Sequence, residues 1–359
     1  SDVCSSDLPW LKMQKINNKV FLVAGGTGGH LFPAVAIAQR DKTKEFIFLI
    51  DSRVEKIIQK FNFKYFLISS SRLEKNFLKI PFFLFKILIG LLQSIYLIYK
   101  FKPTLIVGFG GYTSIPTILA AKFFNIKTLI HEQNALMGRT NRILSKLCYA
   151  TAISFKTTQF AKKNSYFTGI PVRPFKKEII KKNKKKILIV GGSQGAKIFS
   201  KIIPKILLQI PQNIKKKIII IQQVRLEDKE SLHLKYKRMK VDFVLESFFT
   251  DLQNQIYNSD LVFARCGSST LAEINDCGKS SFLFPLPNSM DNHQCMNALE
   301  FKKYNDCEIF DETNIDYSDI SDKLEKEIKK SKKRIIKIKR EKKISLNDLI
   351  NDIIKWSDV

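Results

Sequence analysis

The six cysteines of this chain (Cys4, Cys148, Cys266, Cys277, Cys295 and Cys307) form no C-x-x-C pair and no zinc-like spacing. Neither a structural zinc site nor a disulfide framework is expected, and reduced thiols in a cytosolic protein fit best. Acidic residues are scarce: 33 Asp and Glu against 61 Lys and Arg leave a net charge of +28. Such an excess points to nucleic acid, an anionic membrane surface or anionic substrates. The lysines are scattered, however, and arrive with abundant Ile, Phe and Asn, as composition drift would place them. Arg-rich clusters interleaved with aromatics are missing, so no specific nucleic-acid partner is expected. No signal peptide is expected either.

What is present is ample for folding. At 359 residues, 45% of them hydrophobic, the chain is long for one core and comfortable for two. Residues 1–12 are set aside as a non-native leader: Asp2 to Leu8 resembles a translated sequencing adaptor, and Met13 offers a start. The remainder uses one device twice. Lys19 to Ala24 is a short apolar strand running into Gly25-Gly26-Thr27-Gly28-Gly29-His30, and Ile187 to Val190 runs into Gly191-Gly192-Ser193-Gln194-Gly195-Ala196. Glycines let backbone N–H groups approach a ligand closely, and the helix behind aims its positive dipole end at the same spot. Two such turns on two α/β units suggest a cleft where phosphorylated substrates meet.

Strands and helices alternate between these turns. A helix is expected from Pro33 to Arg40 and another from Ile115 to Phe124. Strands are expected at Phe46–Ile50, Thr104–Val107 and Thr128–Ile130, the last ending at His131-Glu132-Gln133-Asn134. That alternation predicts a parallel sheet, whose ligands bind beyond the carboxyl ends of the strands. His30, Tyr112 and His131 to Asn134 fall at that rim. The expected organisation is an N-terminal domain over 13–170, a linker over 171–186 and a second domain over 187–340. Strands at Lys217–Ile221, Val241–Leu245, Leu261–Ala264 and Ser281–Pro285 would build the second sheet, and 341–359 would carry a C-terminal helix.

Phe82 to Tyr99 is almost continuously apolar, broken by Lys86, Gly90, Gln93 and Ser94 and bracketed by lysines. About 20 apolar residues can span a bilayer, but this run sits inside a βαβ unit whose next strand must return to the same sheet. Pro81 offers a helix start. The favoured reading is a domain helix whose outer apolar face rests on an anionic membrane, ahead of a core helix and of true spanning.

The decisive stretch is Ala264-Arg265-Cys266-Gly267-Ser268-Ser269-Thr270-Leu271-Ala272-Glu273-Ile274. A strand ends at a glycine and small hydroxyls, and a helix follows carrying Glu273. That carboxylate can accept both hydroxyls of a ribose while the helix start faces a phosphate. Alone, it reads equally as an N-cap at Ser268 or Ser269 with Glu273 as a first-turn acid. It is accompanied, in order, by both glycine turns, Gly110-Gly111-Tyr112, His131 to Asn134, Gly169-Ile170-Pro171-Val172-Arg173 and Asp291-Asn292-His293-Gln294. From about Val20 to Ala298 this ordered set closely resembles the family of bacterial N-acetylglucosaminyltransferases that convert lipid I to lipid II in peptidoglycan synthesis.

The resemblance implies an α/β fold of the GT-B type, two Rossmann-like domains facing across a cleft. It implies that Arg173, Ser193, Phe248, Phe249, Ser268, Ser269, Thr270, Glu273 and Gln294 hold UDP-N-acetylglucosamine, with Thr27, Gly28, Gly29 and Asn134 reaching it from the first domain. Gly110, Gly111 and Tyr112 would line the side of the acceptor, lipid I. No cofactor and no metal ion are expected, since no D-x-D pair sits at a convincing strand end. A peripheral place on the cytoplasmic face of the bacterial inner membrane would follow. His30, closing a glycine-rich loop, is the candidate base or acceptor-positioning group, because histidine ordinarily titrates near neutrality. His131 and Glu132 suit structural hydrogen bonds at least as well. Two departures from the family pattern stand out: Gln222-Gln223 replaces a His-Gln pair, and Cys266 stands where Ser or Ala is common.

Two other readings compete. A sister enzyme would glycosylate diacylglycerol or another lipid. A dinucleotide oxidoreductase would need G-x-G-x-x-G and an acid ~20 residues on, which fits Gly25 poorly despite Asp51.

Overall fold

The computed structural model describes residues 18–71, 77–177, 183–287, 289–330 and 343–355. The expected leader, the middle of the linker and the lysine-rich stretch before the C-terminal helix lie outside the described residues.

Seven strands form the first sheet: β1 (Lys19–Ala24), β2 (Glu45–Ile50), β3 (Tyr65–Leu67), β4 (Leu105–Gly108), β5 (Lys127–Glu132), β6 (Ala150–Ile153) and β7 (Tyr166–Phe167). Their order is β3-β2-β1-β4-β5-β6-β7. The helices α1 (Gly28–Arg40), α2 (Glu55–Ile58), α3 (Ile80–Phe101), α4 (Ser114–Phe123) and α5 (Arg139–Leu144) alternate with them. The second sheet holds β8 (Lys185–Val190), β9 (Ile218–Gln223), β10 (Asp242–Glu246), β11 (Leu261–Ala264), β12 (Ser281–Leu283) and β13 (Cys307–Ile309), in the order β10-β9-β8-β11-β12-β13. Its helices are α6 (Gly192–Gln209), α7 (Gln212–Lys215), α8 (Leu226–Arg238), α9 (Leu252–Tyr257), α10 (Ser268–Cys277), α11 (His293–Lys302) and α12 (Tyr317–Lys329), and α13 (Leu346–Lys355) follows.

β1 pairs in parallel with β2 and β4, and β8 with β9 and β11. Strand order therefore reverses beside β1 and beside β8, the points where doubly wound sheets open to ligands. Such strands are covered on both faces, which is why Val20 to Ala24 reads as an unbroken apolar run and is wholly buried. Four short strands, β3, β6, β7 and β13, were not expected, and α1 begins five residues ahead of Pro33.

Backbone contacts group the chain into two compact units. Of the described residues, those up to His131, 143–151 and 347–355 make the first; those within 132–142 and 152–346 make the second. In the first, Phe21, Val23, Ile47, Leu49, Ile106 and Ala120 share a core with Leu97 and Ile98 of α3. In the second, Phe199, Phe263, Phe284 and Tyr236 are its largest fully buried side chains.

The polarity of α3 is inverted. Three of the four residues that interrupt its apolar run face inward, Lys86 excepted: Gly90 and Ser94 are buried, Gln93 accepts from the Ser69 amide at 2.8 Å, and Ser94 meets the Thr117 hydroxyl at 3.1 Å. A Cβ at Gly90 would lie 2.2 Å from the Ser69 carbonyl, so only glycine permits this approach. Phe82, Leu84, Phe85, Leu88, Leu92 and Tyr96 point outward, each between 52% and 59% exposed. That exposure excludes the core-helix reading. α3 is long and apolar enough to cross a membrane, but only 22% of its most apolar window is buried.

Candidate active site

On the first unit, the glycine turn ends at Thr27, and Gly28, Gly29 and His30 form the opening turn of α1. His30 is thus helical rather than the last residue of a loop; its amide donates to the Thr27 carbonyl at 3.2 Å. Thr27, the N-cap residue, makes no side-chain bond to this helix start, whose dipole end carries a partial positive charge an anion can use. Gly110 and Gly111 have φ of 95° and 77°, a region that favours glycine. A Cβ on Gly111 would stand 2.9 Å from the Gly25 carbonyl, so the two turns touch. Tyr112 follows and meets Phe83 of α3 edge-on, with ring centroids 6.1 Å apart.

Asp51 directly follows β2 and is 4% exposed. Its Oδ2 accepts from the Gly26 amide at 2.8 Å, the Thr113 hydroxyl at 3.0 Å and the Arg53 guanidinium at 2.6 Å. A dinucleotide enzyme would use an acid here for the ribose. In this chain the loop consumes that carboxylate, which removes the residue on which the oxidoreductase reading relied.

On the second unit, α10 starts behind Gly267, beside open space: a Cβ there would meet nothing within 4 Å. Neither Ser268 nor Ser269 is the N-cap, and the first turn carries no acid, so the capping alternative falls. Thr270 lies in the same turn. Glu273, one turn on, is buried and accepts from Arg173 Nη2 at 3.0 Å; Arg173 is itself only 8% exposed. Burial pushes the Glu273 carboxyl above the usual carboxylate range, against the pull of the Arg173 guanidinium. The Gly191 turn opens α6, again without a side-chain cap, and places Ser193 in its first turn.

Gln294 of α11 presents its carbonyl oxygen to the amides of Cys266 and Leu286 at 3.2 and 3.0 Å. Asn297, fully buried on the same helix, donates to the Cys266 carbonyl at 3.2 Å and to Asn134 Oδ1 at 3.1 Å. It also accepts from the Ala135 amide at 2.8 Å. Asn134 is held from its other side by Glu132, whose carboxylate further accepts from Gly138 and Asn141. Glu132 therefore builds the 132–141 segment. His131 is fully buried beside Phe109.

Phe249 is buried and Phe248 half-buried in the loop after β10. Gln223 donates to the Ser247 carbonyl at 3.4 Å and tethers that loop, whereas Gln222 turns into the core, accepting from the Tyr236 hydroxyl. The substituted pair thus divides between loop and core. Cys266 is buried and its thiol is pushed far up by that burial. Among the described residues no three His, Cys, Asp or Glu side chains are grouped so as to hold a metal ion. The Asp51 hub and Asn297 were missed: one polar residue in an apolar context carries no spacing signal.

Two parallel sheets, each opening at a glycine turn, with a buried Arg–Glu pair beside a helix start, define a GT-B glycosyltransferase. Residues 20–153 match the glycosyltransferase family 28 N-terminal domain, and 186–353 its C-terminal domain. A Rickettsia canadensis protein named UDP-N-acetylglucosamine--N-acetylmuramyl-(pentapeptide) pyrophosphoryl-undecaprenol N-acetylglucosamine transferase is 35% identical over 358 residues, covering 94% of this chain and 99% of that protein. A Wolbachia pipientis wMel protein of the same name is 37% identical over 284 residues, 78% of this chain and 81% of its own. The crystal structure of Acinetobacter baumannii MurG superposes with a TM-score of 0.72 at 24% identity, covering 94% and 99% of the two chains. The chain belongs to the family of these N-acetylglucosamine transferases.

Proposed function

We propose that the chain transfers N-acetylglucosamine from UDP-N-acetylglucosamine to the muramyl C4 hydroxyl of lipid I, giving lipid II with inversion to a β-linkage. The observation that carries this is the buried Arg173–Glu273 pair beside the start of α10, in a chain 35% identical to a transferase of that name. In this reading Glu273 accepts the ribose hydroxyls and Arg173 orients it. Backbone around Phe248 and Phe249 meets the uracil, and the amide nitrogen of Gln294, whose oxygen is already engaged, meets the sugar. Thr27, Gly28, Gly29 and Asn134 also reach the donor. Charge develops on the departing diphosphate, and the starts of α6 and α10, with Ser193 and Ser268 to Thr270, stabilise it without a cofactor.

His30 positions or deprotonates the acceptor hydroxyl, and Gly110, Gly111 and Tyr112 line the acceptor near its diphosphate. The exposed apolar face of α3, with Lys79, Lys86 and Lys100, rests on the anionic cytoplasmic face of a bacterial inner membrane, where a polyprenyl-linked acceptor is anchored. The test is transfer of labelled sugar from UDP-N-acetylglucosamine to lipid I or to diacylglycerol. Labelled lipid II is expected with the first alone. Transfer to diacylglycerol would overturn the acceptor, and turnover with neither would overturn the reaction.

A further inference from the structure

The geometry points to Arg53 as a further ligand for the diphosphate of the acceptor, with Asp51 as the positioning residue that holds it there. This rests on the reaction proposed above. Arg53 follows β2 in a short 3-10 turn, Ser52–Val54, capped by Asp51, whose Oδ1 accepts from the Arg53 amide at 3.0 Å. The side chain then folds back, and its Nη2 meets Asp51 Oδ2 at 2.6 Å. The guanidinium comes to lie over the first glycine turn: Nη1, Nη2 and Cζ are 3.6–3.7 Å from where a Cβ on Gly26 would stand.

Charge explains why this placement matters. The Gly26 amide, which an anion would ordinarily recruit, is already donated to Asp51. A buried carboxylate behind the turn would by itself repel a diphosphate. Arg53 cancels that charge and presents the cationic member of the pair to solvent, since its side chain is 47% exposed while that of Asp51 is 6% exposed. An arginine carries five N–H donors in a fixed fork that matches phosphate oxygens. Among the described residues Asp51 is the carboxylate paired with Arg53, so Nε and Nη1 are left for a ligand. Beside this cation lie the start of α1 and the Gly110–Gly111 turn, which touches Gly25. Asp51 also bonds Thr113, whose hydroxyl meets that of Ser70 at 3.1 Å. One carboxylate thereby fixes both glycine turns and the cation between solvent and them.

The alternative is that Arg53 only neutralises Asp51. Arg53→Gln, Arg53→Lys and Asp51→Asn separate the two in steady-state transfer to a short-chain lipid I analogue, with UDP affinity measured by calorimetry. Arg53→Gln is expected to raise the acceptor KM about ten- to a hundredfold, the worth of a hydrogen bond to a charged group, with UDP affinity unchanged. Lysine should restore part of the loss, as a point charge without the fork. Inorganic pyrophosphate, used as a competitor against the acceptor, should inhibit the Gln variant more weakly. Asp51→Asn should raise the acceptor KM as well and also lower kcat, through the loosened turns. An acceptor KM unchanged in Arg53→Gln, with only melting affected, overturns the inference; where Arg53→Gln or Asp51→Asn misfolds, Arg53→Lys keeps a cation beside the buried Asp51 carboxylate, and a wild-type acceptor KM in that variant overturns it equally. Wild-type protein inactive on lipid I would strike the reaction itself; active wild type with an unaltered Gln variant strikes Arg53 alone.

Discussion

Replacing Glu273 bears most directly on the donor site. Its residue and Arg173 are 5% and 8% exposed, with 3.0 Å between Oε1 and Nη2, so deleting either leaves a charge out of water. Breaking a buried pair from one side costs about 3–5 kcal/mol. Glu273→Ala should therefore lower the melting temperature as well as UDP affinity, and it conflates the two. Glu273→Gln keeps the volume and a carbonyl for Arg173 while losing the charge. A hydrogen bond to a charged group is worth about 1.5–3 kcal/mol and a neutral one about 0.5–1.5. Calorimetric UDP titration should then show a loss of about 1–1.5 kcal/mol in Glu273→Gln, roughly five- to tenfold in affinity. Alanine should cost roughly ten- to a hundredfold.

The pH dependence supplies a second reading of the same group. Glu273 titrates above the usual range because it is buried. A carboxyl raised in the folded state favours folding below its unfolded pKa, about 4.3 for glutamate. That contribution is lost as pH rises through the raised folded value. UDP binding runs oppositely, since ribose hydroxyls need the carboxylate, and affinity should climb through the same window. The climb should vanish in Glu273→Gln. Equal UDP affinity in wild type, Gln and Ala at every pH would refute the ribose assignment.

The remaining expectations concern the first unit. His30→Ala should cut turnover far more than UDP affinity, and unchanged turnover would end its assignment. Gly111→Ala forces a side chain into φ 77° and toward the Gly25 carbonyl at 2.9 Å. It should cost about 1–3 kcal/mol in thermal unfolding and depress acceptor use, with UDP binding preserved. Serine at Phe82, Phe85 and Leu88 should abolish co-sedimentation with anionic vesicles without lowering the melting temperature, because these side chains are already exposed. Unaltered sedimentation would remove the membrane reading of α3.

Much of this architecture was legible because glycine turns and apolar strands are local signals. β11 matches its expected span residue for residue, and α3 extends its expected run by two residues at each end. β3, β6, β7 and β13, of two to four residues, were not legible; β11 is as short, but the glycine and hydroxyl residues that follow it mark its end. The inward face of α3 was visible only as interruptions, since a sequence does not say which way a helix turns. The Arg173–Glu273 contact joins residues a hundred positions apart, and no spacing rule reaches that far. Gln222 and Gln223 differ in role by strand alternation alone, one side chain to each face.

The last described helix has a consequence for how this protein is made. Leu346, Leu349, Ile350, Ile353 and Ile354 of α13 are each no more than 4% exposed, and residues 347–355 group with the unit that holds β1 to β4. A ribosome delivers that greasy wedge after all thirteen described strands, so the unit that takes it up stays unfinished until the helix emerges. Nascent chains stalled ahead of Leu346 should present an open seam there, the sort of surface that chaperones bind and proteases cut.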